Sequence, residues 1–334
     1  MNRRFSPGLL YFVLFFLLLE LISRTVIAGS ASLSSFDEMD HLAFILSQRT
    51  VPPRVLYLGS SQTQASVATR DIATNLGMPL QEVLSASVAA AGPREMLAVY
   101  QRSEHLFQSA EIVYINIDTW VFNRYIHMQE RHGPATWRRS AGLYERLRYP
   151  ASLTDRADWL LGWAVATWDQ RYTWRSMMNH WLRNPWTQRV APLYDCFGRP
   201  IRGFLDEEGD RPNRMTEANA MEYVNAHTQN FALEPEAIAD LKELVNRVKS
   251  NGSTPVLLRL PASQLYLDKL AGTGLDLSFV WSEVSDSLPD VETLDVSNLV
   301  YEEAYWWDPY HLSRAGAIKL ATTLSDDVAS RLGN

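Results

Sequence analysis

Short, largely apolar stretches, separated by helical stretches, constrain this chain more than any other feature. Arg54-Val55-Leu56-Tyr57-Leu58 runs straight into Gly59, and similar runs cover 82–88, 112–117 and 255–260, with a weaker one at 291–296. A strand apolar on both faces must be covered on both faces, which is the situation of a parallel sheet sandwiched by helices. Helical patterning fills 94–107 and 235–250, and Asn251-Gly252 supplies a stop to the second. Strand and helix in alternation predict an α/β fold, a doubly wound parallel sheet of about five strands. The interval 124–234 is too long for a single crossover and is read as a largely helical insertion. It holds Trp137, Trp159, Trp163, Trp168, Trp174, Trp181 and Trp186, seven of the eleven tryptophans in the chain. Such rings pack an insertion against a sheet, stack on sugar rings or sit at a membrane interface.

The N-terminus addresses the chain to a membrane. Asn2-Arg3-Arg4 precedes an apolar run from Leu9 to Leu19, and mixed apolar residues continue to Ala28. A basic start followed by an apolar run is the pattern of a secretory signal. The segment from Leu9 to Ala28 has the roughly 20 residues that one bilayer crossing needs. Glu20 and Arg24 stand four apart, where a helix would bring them together. The expectation is an uncleaved transmembrane signal anchor over 1–28 and a small-residue tether over 29–50. Cleavage after Val26-Ile27-Ala28 is the alternative, giving a secreted protein. The basic residues place the N-terminus in the cytoplasm and the rest on the periplasmic or extracellular side.

Composition removes several classes of function. The formal charge of −7 lacks the basic face that phosphate backbones require, so no nucleic-acid partner is expected. Cys196 is the only cysteine, which excludes an internal disulfide and a multi-cysteine zinc site. Gly59-Ser60-Ser61 is not followed by the glycine-rich loop and lysine of a nucleotide site. No metal or organic cofactor is called for.

Two short segments carry the chemistry. Gly59-Ser60-Ser61-Gln62 ends the first strand, at the sheet edge where open α/β folds bind ligands. Trp306-Trp307-Asp308-Pro309-Tyr310-His311-Leu312 lies between the last strand and a final helix. That helix carries Ile318, Ala321, Leu324, Val328 and Leu332 at near-helical spacing. An Asp three residues before a His can fold back to accept its Nδ1 proton, leaving Nε2 to act as base toward a serine. Either segment alone is also what an ordinary turn or helix cap looks like.

Taken together and in this order, the two segments resemble the SGNH (GDSL-type) hydrolase superfamily. The resemblance spans most of 51–334 apart from the insertion and implies a flavodoxin-like sheet. Gly59-Ser60-Ser61-Gln62 stands where that family has Gly-Asp-Ser-Leu, which implies Ser61 as nucleophile and puts Ser60 at the usual Asp. Asp308 and His311 match the family's last block. Gly92, in Ala90-Ala91-Gly92-Pro93-Arg94, follows the second strand where the family has an oxyanion glycine. The third block departs from Gly-x-Asn-Asp and reads Asn116-Ile117-Asp118-Thr119-Trp120-Val121-Phe122-Asn123. Asn123 is the expected side-chain donor to the oxyanion, with Asn116 and Thr119 as alternatives, and Asp118 is expected at the rim of the site. The anchor and the altered third block are similar to the membrane-anchored branch acting on cell-envelope polysaccharides, which includes alginate-type O-acetylation and teichoic-acid D-alanylation proteins. That branch implies ester chemistry on a polysaccharide, an esterase or O-acyltransferase, beside a membrane-bound acyltransferase partner. The Trp-rich insertion would then be the place for a lid excluding water. A catalytically silent assembly protein of the same fold, binding polysaccharide or a membrane partner, is the alternative.

Overall fold

In the computed structural model, which describes residues 7–27, 42, 45–125, 157, 160–162, 164–169, 178, 182, 214–299 and 302–333, the five apolar runs form five strands. These are β1 (Val55–Leu58), β2 (Val83–Ser85), β3 (Ile112–Asn116), β4 (Thr254–Arg259) and β5 (Glu292–Asp295). They make one parallel sheet in the order β2-β1-β3-β4-β5. The labelled helices are α1 (Pro7–Leu21), α2 (Ser61–Ser66), α3 (Thr69–Leu76), α4 (Pro93–Arg102), α5 (Glu217–Thr228), α6 (Pro235–Ser250), α7 (Gln264–Ala271), α8 (Ser278–Ser287) and α9 (Arg314–Leu332). The chain forms two compact units, one from residues 1–48 and 138–193, the other from 49–137 and 194–334.

The sheet belongs to the second unit, and its register explains the continuous apolar runs. Val55 lies beside Val83 and Ile112, and Tyr57 beside Ser85 and Tyr114. Val55, Tyr57, Ile112, Tyr114, Val256 and Leu258 share a core with Ile72 of α3 and Leu320, Leu324 and Val328 of α9. The intervening residues Leu56, Leu58, Val113, Ile115 and Leu257 are equally buried and by the pleat point the other way. α4 and α6 pack together, and α6 packs on β4. Each large side chain so covered is worth roughly 1.5–3 kcal/mol. β5 is short and mostly exposed, a form of edge that resists pairing with other chains.

Local signals account for the helix limits. Pro235 begins α6 where its missing N–H costs nothing, and Asn251 and Gly252, at φ +81°, end it. The helix read over 94–107 breaks at Ser103 into α4 and a turn, Glu104–Phe107. The buried stripe of α9 is Ala317, Leu320, Ala321, Leu324 and Val328, so Ile318 lies off the stripe and is exposed. The start of α9 is pressed against the chain before it. A Cβ on Gly316 would lie 2.2 Å from the Tyr305 carbonyl oxygen and 3.0 Å from Leu312 Cδ2. Gly316→Ala is therefore expected to cost about 1–3 kcal/mol. Urea unfolding checks this as a lowered midpoint at an unchanged slope.

The two ends of the expected insertion meet. Asn123 and Leu233 form an antiparallel bridge, Arg124 N–H donates to Ala232 O at 2.7 Å, and Glu234 N–H donates to Phe122 O at 2.8 Å. Of the seven tryptophans between them, all but Trp168 lie outside the described residues, as does most of the tether at 29–50. In the first unit, the expected span is divided into the 15-residue α1 and a π-helical segment, Ile22–Ile27. Among the described residues no helix is long and apolar enough to cross a membrane. The Glu20–Arg24 pair forms at 2.7 Å. The Glu20 carboxylate also accepts from the N–H groups of Ala166 (2.8 Å) and Thr167 (2.9 Å), at the start of a helical turn, Ala166–Asp169. Arg24 donates to Ala164 O at 2.9 Å.

Candidate active site

The site grows from the carboxyl end of β1. Gly59 is required there by crowding, because a Cβ would fall 2.0 Å from Thr63 Oγ1 and 2.8 Å from Asn116 Cβ. Ser60 follows as the N-cap of α2, its Oγ accepting from Gln62 N–H at 3.2 Å. Ser61 is the first residue of α2, half-buried, while Ser60 beside it is fully buried. Strand, tight exit and cap together lift the Ser61 side chain to the surface of the sheet edge and turn that of Ser60 beneath it.

The second half comes from the loop before α9. An antiparallel bridge, Trp306 to Leu312, closes the loop, and inside it Asp308 Oδ1 accepts from the N–H groups of Tyr310 and His311, both at 2.8 Å. This is the Asx type of turn, in which an aspartate satisfies backbone just ahead of it. It brings the His311 ring onto its own carboxylate, with Nδ1 3.0 Å from Asp308 Oδ1 and 2.9 Å from Oδ2. A carboxylate can only accept, so the ring proton belongs on Nδ1 and Nε2 presents a lone pair. That Nε2 lies 3.0 Å from Ser61 Oγ. Burial raises the Asp308 carboxyl, but its bonds to His311, the Tyr310 amide and Tyr223 outweigh burial and leave it below the usual carboxylate range. Asp308 is thus an anion at neutral pH, held by donors on every side.

The three residues singled out from sequence therefore form one hydrogen-bonded line. No protein-family model matches the chain, and no curated protein matches it. Among solved structures, one provisionally described as a platelet activating factor from Streptococcus pneumonia is similar over 87% of this chain and 90% of its own, with a TM-score of 0.41 and 12% identity.

The expected oxyanion and rim residues fare differently. The Gly92 N–H, the N-cap of α4, donates to Glu95 Oε2 at 2.8 Å and has no proton left for an oxyanion. Asn123 is fully buried and committed to backbone: its amide donates to Gln229 O (3.1 Å) and His227 O (3.4 Å), and its oxygen accepts from Tyr125 and Ala232 N–H. It locks the insertion ends and is not an oxyanion donor. Asn116, also buried, donates to Gln62 Oε1 at 3.4 Å, whereas Thr119 is half-buried at the start of the turn Thr119–Phe122. Asp118 is not at a rim. It is 2% exposed, accepts from Ser60 Oγ at 2.8 Å and from the Tyr310 hydroxyl, and burial pushes its carboxyl up to about 6 against the pull of those bonds.

Other residues join the site without having been anticipated. Tyr223 of α5 donates its hydroxyl to Asp308 Oδ2 at 2.9 Å, and burial together with the Asp308 charge raises its own ionisation, so it remains a donor. His227, one turn on, stacks on Trp120 at 4.4 Å between ring centres and shares a 2.9 Å hydrogen bond with Tyr266. Burial drives His227 down to about 3, so it stays neutral. The loop after β2 lies against Gly59 through Val88 N–H to Gly59 O at 3.0 Å, and its Ala90 holds φ +57°. A non-glycine residue in that region is strained by roughly 1–2 kcal/mol, and such strain gathers at functional sites. Among the described residues no cluster of His, Cys, Asp and Glu is arranged to hold a metal.

Proposed function

We propose that the chain is a serine hydrolase or O-acyltransferase of SGNH type, acting on ester-linked acyl groups through Ser61, His311 and Asp308. The observation that carries this is the 3.0 Å contact from His311 Nε2 to Ser61 Oγ, with Nδ1 of the same ring on a buried carboxylate. A core histidine satisfied by packing has no reason to meet a half-exposed serine on one side and an anion on the other. His311 Nε2 takes the Ser61 proton as Oγ adds to the ester carbonyl, and Asp308 holds the imidazolium that results. The tetrahedral oxyanion is met by the Ser61 N–H in the first turn of α2. Collapse breaks the ester bond, His311 returns its proton to the departing alcohol, and the acyl group stays on Ser61. Water then completes hydrolysis, or a sugar hydroxyl completes transfer. All of this is acid–base and nucleophilic chemistry, which the side chains supply themselves.

The same reading places the enzyme on cell-envelope polysaccharide, outside the cytoplasm and held to the membrane by its N-terminal helix, beside a membrane-bound acyltransferase. α1 supports the attachment: the consecutive side chains from Leu10 to Leu18, which go round its whole circumference, are apolar and exposed. The charged pair in the segment, Glu20 and Arg24, is bonded to the backbone of residues 164–167, with Glu20 partly buried and Arg24 exposed. The silent assembly protein remains the competing reading.

The experiment is labelling of the full-length chain in detergent with a fluorophosphonate, which traps an activated serine whatever the natural ester. Labelling of the wild type, lost in Ser61→Ala and His311→Ala, is the expected result. Labelling that survives Ser61→Ala would mean a different serine. A folded wild type that takes no label would favour the assembly protein.

A further inference from the structure

Ser61 and His311 are 250 positions apart, and their Oγ–Nε2 contact must be held to a few tenths of an ångström to be useful. Neither loop fixes the other by itself: one leaves β1, the other precedes α9. A third element stands under both. Asp118 follows the carboxyl end of β3, the strand beside β1 in the sheet. Its Oδ2 accepts from Ser60 Oγ at 2.8 Å, and its Oδ1 accepts from the Tyr310 hydroxyl. Ser60 is the residue immediately before Ser61, and Tyr310 the residue immediately before His311.

We propose that Asp118 is a positioning residue, a single buried carboxylate that clamps the Ser61 loop to the His311 loop and so sets the nucleophile–base distance. This rests on the triad reading above, but it concerns what holds the triad rather than what the triad does.

The chemistry of the clamp calls for a carboxylate. Ser60 Oγ accepts from Gln62 N–H, so its own proton is directed to Asp118. The Tyr310 hydroxyl is kept protonated by burial and by the Asp118 charge, so it too arrives as a donor. Two donors converging from two loops need two acceptor oxygens on one rigid group, which Asp supplies and Asn does not. In Asp118→Asn one hydroxyl faces an NH2 and must turn away, although the side chain keeps its volume. Ser60 and Asp118 also make sense as a pair. Where the family pattern has an aspartate ahead of the nucleophile, this chain has a serine, and the carboxylate reaches the same neighbourhood from β3.

The test compares wild type, Asp118→Asn, Ser60→Ala, Ser60→Thr and Tyr310→Phe in hydrolysis of p-nitrophenyl acetate and in the rate of fluorophosphonate labelling, with thermal melts to confirm folding. Asp118→Asn is expected to lower kcat and the labelling rate by roughly 10²-fold, the scale of a 1 Å misplacement, with KM little changed. Ser60→Ala and Tyr310→Phe each lose part of that rate, Ser60→Thr keeps it through its hydroxyl, and in the double variants with Asp118→Asn neither loss adds, because the bond is already gone. A folded Asp118→Asn with wild-type kcat would overturn the proposal while leaving the triad standing. Should Asp118→Asn fail to fold, the other variants decide: wild-type rates in both Ser60→Ala and Tyr310→Phe overturn it equally. Absence of labelling and turnover in folded wild type, indistinguishable from Ser61→Ala, removes the triad reading and the clamp with it.

Discussion

Asp308→Asn is expected to lower kcat for ester turnover by roughly 10⁴-fold while leaving the protein folded, the scale that loss of the orienting aspartate has in serine triads. The amide keeps one acceptor oxygen, and that oxygen can still take the N–H groups of Tyr310 and His311 that shape the loop. What changes is the group facing His311 Nδ1. The anion that holds the proton there is replaced, in part, by an NH2 that can only donate. His311 then prefers the tautomer with its proton on Nε2, pointing at Ser61 Oγ, and can no longer accept. Tyr223 loses its anionic partner at Oδ2 as well, and with it the reason to hold the ring in place. Steady-state kinetics with p-nitrophenyl acetate and a thermal melt separate the two consequences: kcat collapses, and the melting temperature moves by a few degrees. A near-wild-type kcat would show that Asp308 is no more than the turn residue its backbone bonds describe.

The parts of this molecule that were legible in the sequence are those decided locally. Strands buried on both faces need apolar residues at every position, so 54–58, 112–117 and 255–260 announce a parallel sheet. α6 begins at a proline and ends at Asn-Gly, and its limits are those residues. The Asp308–His311 pairing is likewise local, three residues closed by an Asx turn. What escaped depends on contacts between distant segments. Nothing in Ile117-Asp118-Thr119 says that its carboxylate lies buried; that follows from Tyr310, 192 positions away, arriving as a donor. Tyr223 sits in the stretch read as insertion, yet α5 packs back against α7 and the turn at Thr119–Phe122 and delivers its hydroxyl to Asp308. The fate of Gly92 did have a signal. Gly92-Pro93-Arg94-Glu95 places a glutamate at the third helical position, where it reaches back to the N-cap amide, and that competes directly with any oxyanion role. Asn123 gave no such signal, because its partners at 227–232 are brought to it only by closure of the insertion.

Between pH 6 and pH 4 the Asp118→Asn protein is expected to lose about 2 kcal/mol of stability relative to wild type. Two buried groups with opposite shifts produce this. His227 falls from its ordinary 6.5 to about 3 in the folded protein. Below pH 6.5 the unfolded chain therefore takes up a proton that the folded one refuses, and stability drops as pH falls, by about 1.4 kcal/mol per pH unit. Asp118 rises from 3.8 to about 6. Here the folded chain keeps a proton that the unfolded one has released, so the contribution is fully present below pH 3.8 and is lost as pH rises through 6. Over the window 3.8–6 the slopes are equal and opposite, and in wild type they cancel. Asparagine does not titrate, which leaves the His227 slope alone. The Asp308 contribution, from a lowered carboxyl, is common to both proteins and disappears from the comparison. Urea unfolding at pH 4, 5, 6 and 7 supplies the measurement. The two curves should diverge steadily below pH 6, and His227→Gln should bend the other way, gaining stability on acidification. Parallel curves for wild type and Asp118→Asn would mean that Asp118 remains ionised in the fold throughout this range, with Ser60 and Tyr310 stabilising the anion more than burial opposes it.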